Sequence, residues 1–131
     1  MNIVDSSGWL EYFSGGPNAD HFLPPLKEPS SLIVPVITIY EVFKVVLRET
    51  GENEALQSIA AMQKGTVVDL TTGIAMNASK LSSQYNLPMA DSIILATARA
   101  CGCIIWTQDS DFENLKRVKF FPKKNIGQHE H

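Results

Sequence analysis

Short apolar runs separated by helical segments, with no tight hairpin turn between them, restrict what this chain can become. Met1 to Val4, Leu32 to Val34, Thr66 to Val68 and Ile104 to Thr107 have the length and apolar content of buried strands. After the first run, Ser6 and Ser7 are placed to cap a helix whose Trp9, Leu10 and Phe13 share one face, and Gly15-Gly16-Pro17 stops it. Pro35 sits badly inside a central strand, so the second strand is expected to end at Val34. Thr38 is expected to open a helix through Ile39, Val42, Phe43, Val46 and Leu47 that Gly51 closes, with a second helix following over Glu52 to Met62. Another helix runs from Thr71 or Thr72 to Gln84. Pro88 suits the first position of the next, which ends at Cys101-Gly102. A helical turn at Phe112 to Leu115 and a last strand at Val118 to Phe121 complete the pattern. Strands joined through helices form parallel sheets by right-handed crossovers, so the spacing predicts a three-layer α/β/α domain with a parallel central sheet.

At 131 residues, with 44% hydrophobic and 19% charged side chains, the chain supports one core. The expected organisation is one domain over residues 1–125 and a C-terminal tail over 126–131. No apolar run has the roughly 20 residues that cross a bilayer, and the first ten residues lack a basic segment followed by a long apolar one, so a cytoplasmic protein is expected. Cys101 and Cys103 are too close for an unstrained bridge and are expected to be reduced. The net charge of −3 excludes condensation on nucleic acid through overall charge. A polyanion bound here needs a local basic patch or a metal ion.

Ligands of an open parallel sheet bind beyond the carboxyl ends of its strands, which gives weight to acids that directly follow an apolar run. Asp5 follows the first strand and Asp109 follows the fourth by two residues; if those strands are neighbours, the carboxylates converge. Taken singly, each is equally well read as a helix cap or a turn residue. Asp91 is harder to dismiss. Ile94, Leu95 and Ala98 place it at the head of an apolar stripe, and Arg99 is two turns away. An ionised carboxylate buried without a partner costs several kcal/mol, a conflict that a metal ion resolves. Glu41 fits a capping box with Thr38, the favoured reading on pattern alone, although the same position also brings it to the sheet edge that holds Asp5 and Asp109. Four gathered carboxylates raise one another's pKa unless a cation intervenes, and hard oxygen donors select Mg²⁺ or Mn²⁺ and, with them, phosphate chemistry.

The segments Ile3-Val4-Asp5-Ser6-Ser7, Thr38-Ile39-Tyr40-Glu41-Val42, Leu87 to Ala98 with Pro88-Met89-Ala90-Asp91-Ser92 at its head, and Trp106-Thr107-Gln108-Asp109-Ser110-Asp111-Phe112 carry a family resemblance. In order and spacing, over nearly the whole chain, the sequence resembles a PIN domain of the kind found in VapC toxins of prokaryotic toxin–antitoxin pairs. The resemblance implies a Mg²⁺- or Mn²⁺-dependent endoribonuclease with Asp5, Glu41, Asp91 and Asp109 in its acidic site. Asp5 and Asp91 would be the principal metal ligands, with Glu41 and Asp109 positioning water or a second ion. Asp109 is chosen over Asp111 because it lies nearer the strand end, leaving Asp111 as the alternate fourth acid or a helix cap. Ser6 and Thr107 are expected to orient the carboxylates. The implied reaction is hydrolysis of an RNA phosphodiester by an activated water, on single-stranded or looped RNA, with no protein nucleophile. The implied partners are RNA, a VapB-like antitoxin and a second copy in a homodimer, with Trp9, Tyr12 and Phe13 as candidate contact residues, although core packing is the commoner fate of such side chains.

Lys44 and Arg48, three and seven residues beyond Glu41, are the candidate RNA-binding cations; an ordinary solvated face is the alternative. The basic run from Lys116 to Lys124 reads slightly better as a lysine-guarded edge strand than as a stacking surface. Cys101-Gly102-Cys103 is a weak metal motif, and His21, His129 and His131 add no ligand spacing. A phosphoacceptor domain using Asp69, or a phosphohydrolase with an acid two residues after Asp5, fails because Ser6 and Ser7 follow Asp5 and neither explains Asp91. The competing class is a non-catalytic PIN-like module that binds RNA or a protein partner.

Overall fold

A computed structural model describes residues 1–124; the tail expected at 126–131, with His129 and His131, lies outside the described residues. Five strands, β1 (Asn2–Val4), β2 (Ile33–Pro35), β3 (Thr66–Val68), β4 (Ile104–Thr107) and β5 (Val118–Phe120), are all parallel. Pairing gives β1-β4-β5 and β2-β3, and a bridge between Asn2 and Leu32 joins the two sets in the order β3-β2-β1-β4-β5. Six α-helices connect them: α1 (Ser6–Ser14), the single turn α2 (Leu23–Leu26), α3 (Val36–Thr50), α4 (Glu52–Met62), α5 (Thr72–Tyr85) and α6 (Met89–Cys101).

Alternation along the strands builds the three layers. Ile3, Ile33 and Ile105 point to one face and pack with Ala78, Leu81, Ile94 and Leu95 of α5 and α6. Their neighbours Val4, Val34 and Trp106 point to the other, against Trp9, Val42, Val46 and Met62 of α1, α3 and α4. Because the chain moves outward from β1 through β2 to β3 and then returns to the opposite side of β1 as β4, the strand order reverses between β1 and β4. That crevice is where a doubly wound sheet accepts ligands.

Several local expectations are corrected. Pro35 ends β2 in register with Val68 instead of following the strand, and its φ of −61° and ψ of 133° let it serve at once as the N-cap of α3. The helix therefore opens at Val36, ahead of Thr38. Thr38 is buried and its Oγ1 donates to the Pro35 carbonyl at 2.7 Å, so the Thr38–Glu41 capping box does not form and Glu41 is released. Trp9, a candidate contact residue, is 2% exposed and stacks on Phe13, so it belongs to the core and not to a docking surface. Pro88 likewise caps α6 instead of opening it.

Candidate metal centre

Asp5 leaves the carboxyl end of β1 beside β4, with its amide donating to the Trp106 carbonyl at 3.1 Å. It is the N-cap of α1, the role expected of Ser6 and Ser7, because its Oδ1 accepts from the Gly8 amide at 2.9 Å. A Cβ on Gly8 would lie 2.7 Å from both Phe22 and Val4, so only glycine lets α1 start this close to the sheet. Two hydroxyls complete the shell: Ser7 Oγ donates to Oδ1 at 2.7 Å and Thr107 Oγ1 donates to Oδ2 at 2.6 Å. Burial pushes the Asp5 carboxyl up to about 6, against the pull of these three donors, and the Asp109 charge adds to the rise.

Thr107 and Ser7 also fix the turn that follows β4. Thr107 Oγ1 accepts from the Asp109 amide at 2.8 Å and Ser7 Oγ from the Gln108 amide at 3.2 Å. Gln108 in turn takes a 3.1 Å hydrogen bond from buried Asn18, which also holds the Pro122 carbonyl. Asp109 caps the short 3₁₀ turn Ser110–Phe112, its Oδ1 accepting from the Asp111 amide at 2.9 Å; the cap role expected of Asp111 belongs to Asp109.

Asp91 enters from the other side, in the first turn of α6. An oxygen from each of Asp91, Asp109 and Asp111 lies within 4.8 Å of the other two. Burial, the adjacent Asp109 carboxylate, and the charges of Asp5 and Asp111 push Asp91 up to about 9. Among the described residues no basic side chain forms an ion pair with these acids, and Arg99 is engaged by Tyr85, donating to its hydroxyl at 3.2 Å. Unpaired carboxylates packed this closely, with Asp5 and Asp91 buried, Asp109 half-buried and Asp111 exposed, have the composition and lack of countercharge that a hard divalent cation satisfies.

Glu41, in the second turn of α3, is joined to the group through Ser6, whose Oγ donates to Glu41 Oε1. Asp5, Asp91, Asp109 and Asp111 thus share one electrostatic neighbourhood, with Glu41 attached through the residue next to Asp5. Lys44 and Arg48 form no hydrogen bond or ion pair with the acids: Lys44 Nζ sits 5.7 Å from the Tyr40 ring centre, and Arg48 pairs with Glu49 at 3.6 Å on the exposed side of α3. The basic run forms edge strand β5, where Lys119 Nζ covers the Trp106 ring at 4.4 Å. Sequence reasoning missed Ser7 as an orienting group and Asp111 as a full member of the cluster. The serine doublet immediately after a strand-end acid was the available signal for the first.

The PIN domain family profile matches residues 3–118. The chain belongs to the PIN domain family. No curated protein matches it. Among solved structures, this PIN domain is similar to a toxin–antitoxin complex from Klebsiella pneumoniae, with a TM-score of 0.80 at 22% identity over 94% of this chain and 100% of that one. It is also similar to VapC20 of Mycobacterium tuberculosis, described as a sarcin–ricin loop cleaving toxin, with a TM-score of 0.76 at 16% identity over 88% and 95%. A DNA-bound VapBC from Salmonella typhimurium gives 0.70 at 14% identity over 93% and 98%. At these identities the likeness is one of fold.

Proposed function

We propose that this PIN domain is a Mg²⁺- or Mn²⁺-dependent endoribonuclease, the toxin of a VapBC-type pair, acting in the cytoplasm. The observation that carries the reading is the carboxylate group at the β1/β4 crevice, with three oxygens within 4.8 Å and no basic partner among the described residues. Asp91, Asp109 and Asp111 would hold the ion, with Asp5 beside them. A bound divalent ion supplies charge for the phosphoryl oxygens and lowers the pKa of water at neutral pH.

This chain's own groups do the rest. Ser7, Thr107 and the Gly8 amide hold the Asp5 carboxylate in one orientation. Ser6 occupies Oε1 of Glu41 and leaves Oε2 free to accept a proton from water. No side-chain nucleophile is required. Antitoxin binding is supported by a cavity of about 760 Å³ between α1, α3 and α4, which Tyr12 and Phe13 line and which reaches Ser7 and Gln108 beside the acids. A segment seated there would obstruct the site. A homodimer is part of the same reading and is tested by sedimentation.

Purified protein with Mn²⁺ is expected to cleave single-stranded RNA, and Asp5→Asn or Asp91→Asn to abolish cleavage with the circular dichroism spectrum preserved. Equal, negligible cleavage by all three proteins would favour the non-catalytic binding module instead.

A further inference from the structure

Two of the acids, Asp109 and Asp111, ride on the turn that leaves β4, and Asp91 faces them with like charge. Without an ion, repulsion drives such a turn outward unless something holds it. Its amides are tied on the Asp5 side by Thr107 and Ser7. On the α1 side the tie is the side chain of Gln108, which is buried. Gln108 Oε1 accepts from Asn18 Nδ2 at 3.1 Å and its Nε2 donates to Glu11 Oε1 at 3.4 Å. The Asn18 amide closes the ring by donating to Glu11 Oε2 at 2.7 Å.

Asn18 is built into the fold as the anchor of this ring. It lies in the loop after α1, next to exposed Pro17, yet is itself 1% exposed. Gly15 turns the loop back with a φ of 67°, and a Cβ on Gly16 would collide with the Glu11 carboxylate, so the two glycines let Asn18 reach the sheet. Its second Nδ2 hydrogen goes to the Pro122 carbonyl at 2.9 Å, just past β5, where the Phe121 amide donates to the Thr107 carbonyl at 2.9 Å. Oδ1 has no partner among the described residues, so the side chain is held there by what it donates. A buried amide that gives both hydrogens to segments flanking the acid turn and leaves its carbonyl unpaired favours geometry over stability. We infer that Asn18 and Gln108 are positioning residues: acting through Gln108, Asn18 holds Asp109 and Asp111 at the spacing from Asp91 that a divalent ion needs. A small hard ion tolerates little error in ligand position, so loss of the tie is read first as loss of metal affinity. The inference rests on the metal-dependent reading of the crevice, and neither residue takes part in the chemistry.

The test titrates the full chain with Mn²⁺ alone and follows the free ion by electron paramagnetic resonance, with melting temperature and cleavage of single-stranded RNA measured on the same proteins. Asn18→Ala is expected to weaken Mn²⁺ binding about tenfold. Gln108→Ala, which leaves Asn18 bonded to Pro122 and Glu11, is expected to do the same. The double variant is expected to bind no more weakly than either single one, because both cut the same tie. Cleavage by each is expected to need about tenfold more Mn²⁺, with kcat restored at saturating Mn²⁺ and KM for RNA unchanged. Met62→Ala, which opens the buried core at α4, is expected to lower the melting temperature and leave Mn²⁺ affinity as it is.

Unchanged Mn²⁺ affinity in either single variant, additive losses in the double variant, or an equal loss in Met62→Ala overturns the proposal, while cleavage by wild type preserves the nuclease reading. If Asn18→Ala does not fold, Gln108→Ala decides alone. Mn²⁺ binding that depends on the tie, without cleavage by wild type, sustains the positioning role and removes the nuclease. Failure of wild type to bind Mn²⁺ removes the metal centre and the proposal together.

Discussion

Asp5 and Asp91 face the same crevice and are both buried, yet the protein treats them in opposite ways. Asp5 receives three donors, from Ser7, Gly8 and Thr107, and is held near 6. Asp91 has other carboxylates for neighbours and is driven to about 9. Desolvation is common to the pair, so the contrast comes from what surrounds each oxygen. The Asp5 side of the crevice is preorganised by the fold itself. The Asp91 side is left with a conflict that only a proton or an external cation relieves.

The largest consequence separates activity from stability at Asp91. Asp91→Asn is expected to lower RNA cleavage at least about a hundredfold. It is also expected to raise the metal-free melting temperature at pH 8, since the amide is neutral without the proton that buried Asp91 must take up on folding, by about 4 °C per kcal/mol relieved. A loss of both in Asp91→Asn would break the contrast. Asp5→Asn is expected to reduce both, because it disturbs the helix cap and the two hydroxyl bonds together.

The pH dependence comes next. Both carboxyls have folded pKa values above the unfolded value near 4, so proton binding favours the folded state. Their contribution is fully present below about pH 4, is lost for Asp5 as pH rises through about 6, and is lost for Asp91 through about 9. Metal-free melting temperature is therefore expected to fall between pH 5 and 9. Mn²⁺ is expected to raise it much more at pH 8.5 than at pH 5, and chelation to reverse the gain. Equal stabilisation at both pH values would count against these acids as the binding site.

On the preorganised side the effects are smaller. Thr107→Val removes one donor from Asp5 and the acceptor for the Asp109 amide, and is expected to cost about 1–3 kcal/mol in denaturant titration and about ten- to a hundredfold in kcat. Ser6→Ala frees Glu41 without touching Asp5, and a kcat loss of under about tenfold sharpens the distinction between the group that anchors the crevice and the one attached to its margin.

Much of this was legible because it is periodic or local. The alternation of Ile3 with Val4 and of Ile105 with Trp106 announces a sheet buried on both faces, and α4 begins and ends on the predicted residues. Asp91 stood out because a charge at the head of an apolar stripe has no cheap explanation. What stayed hidden depends on competition between side chains. Thr38 fits a capping box on paper, but the Pro35 carbonyl claims its hydroxyl and the glutamate goes to Ser6 instead. Asp109 and Asp111 are separated by one residue, and which of them caps the turn is decided by the 3₁₀ geometry, not by their order. Trp9 reads as a possible contact residue until the packing of α1 against β1 and β4 is known.

Thr107 closes on Asp5 from 102 positions further along the chain, and Asp109 and Asp111 arrive later still. A chain growing on the ribosome thus completes its first helix long before the groups that finish the crevice exist, and β4 must dock beside β1 before the carboxylates meet. On the proposed nuclease reading, synthesis itself keeps the unfinished polypeptide harmless: cleavage would begin only once the last fifth of the molecule has emerged and folded back onto its beginning.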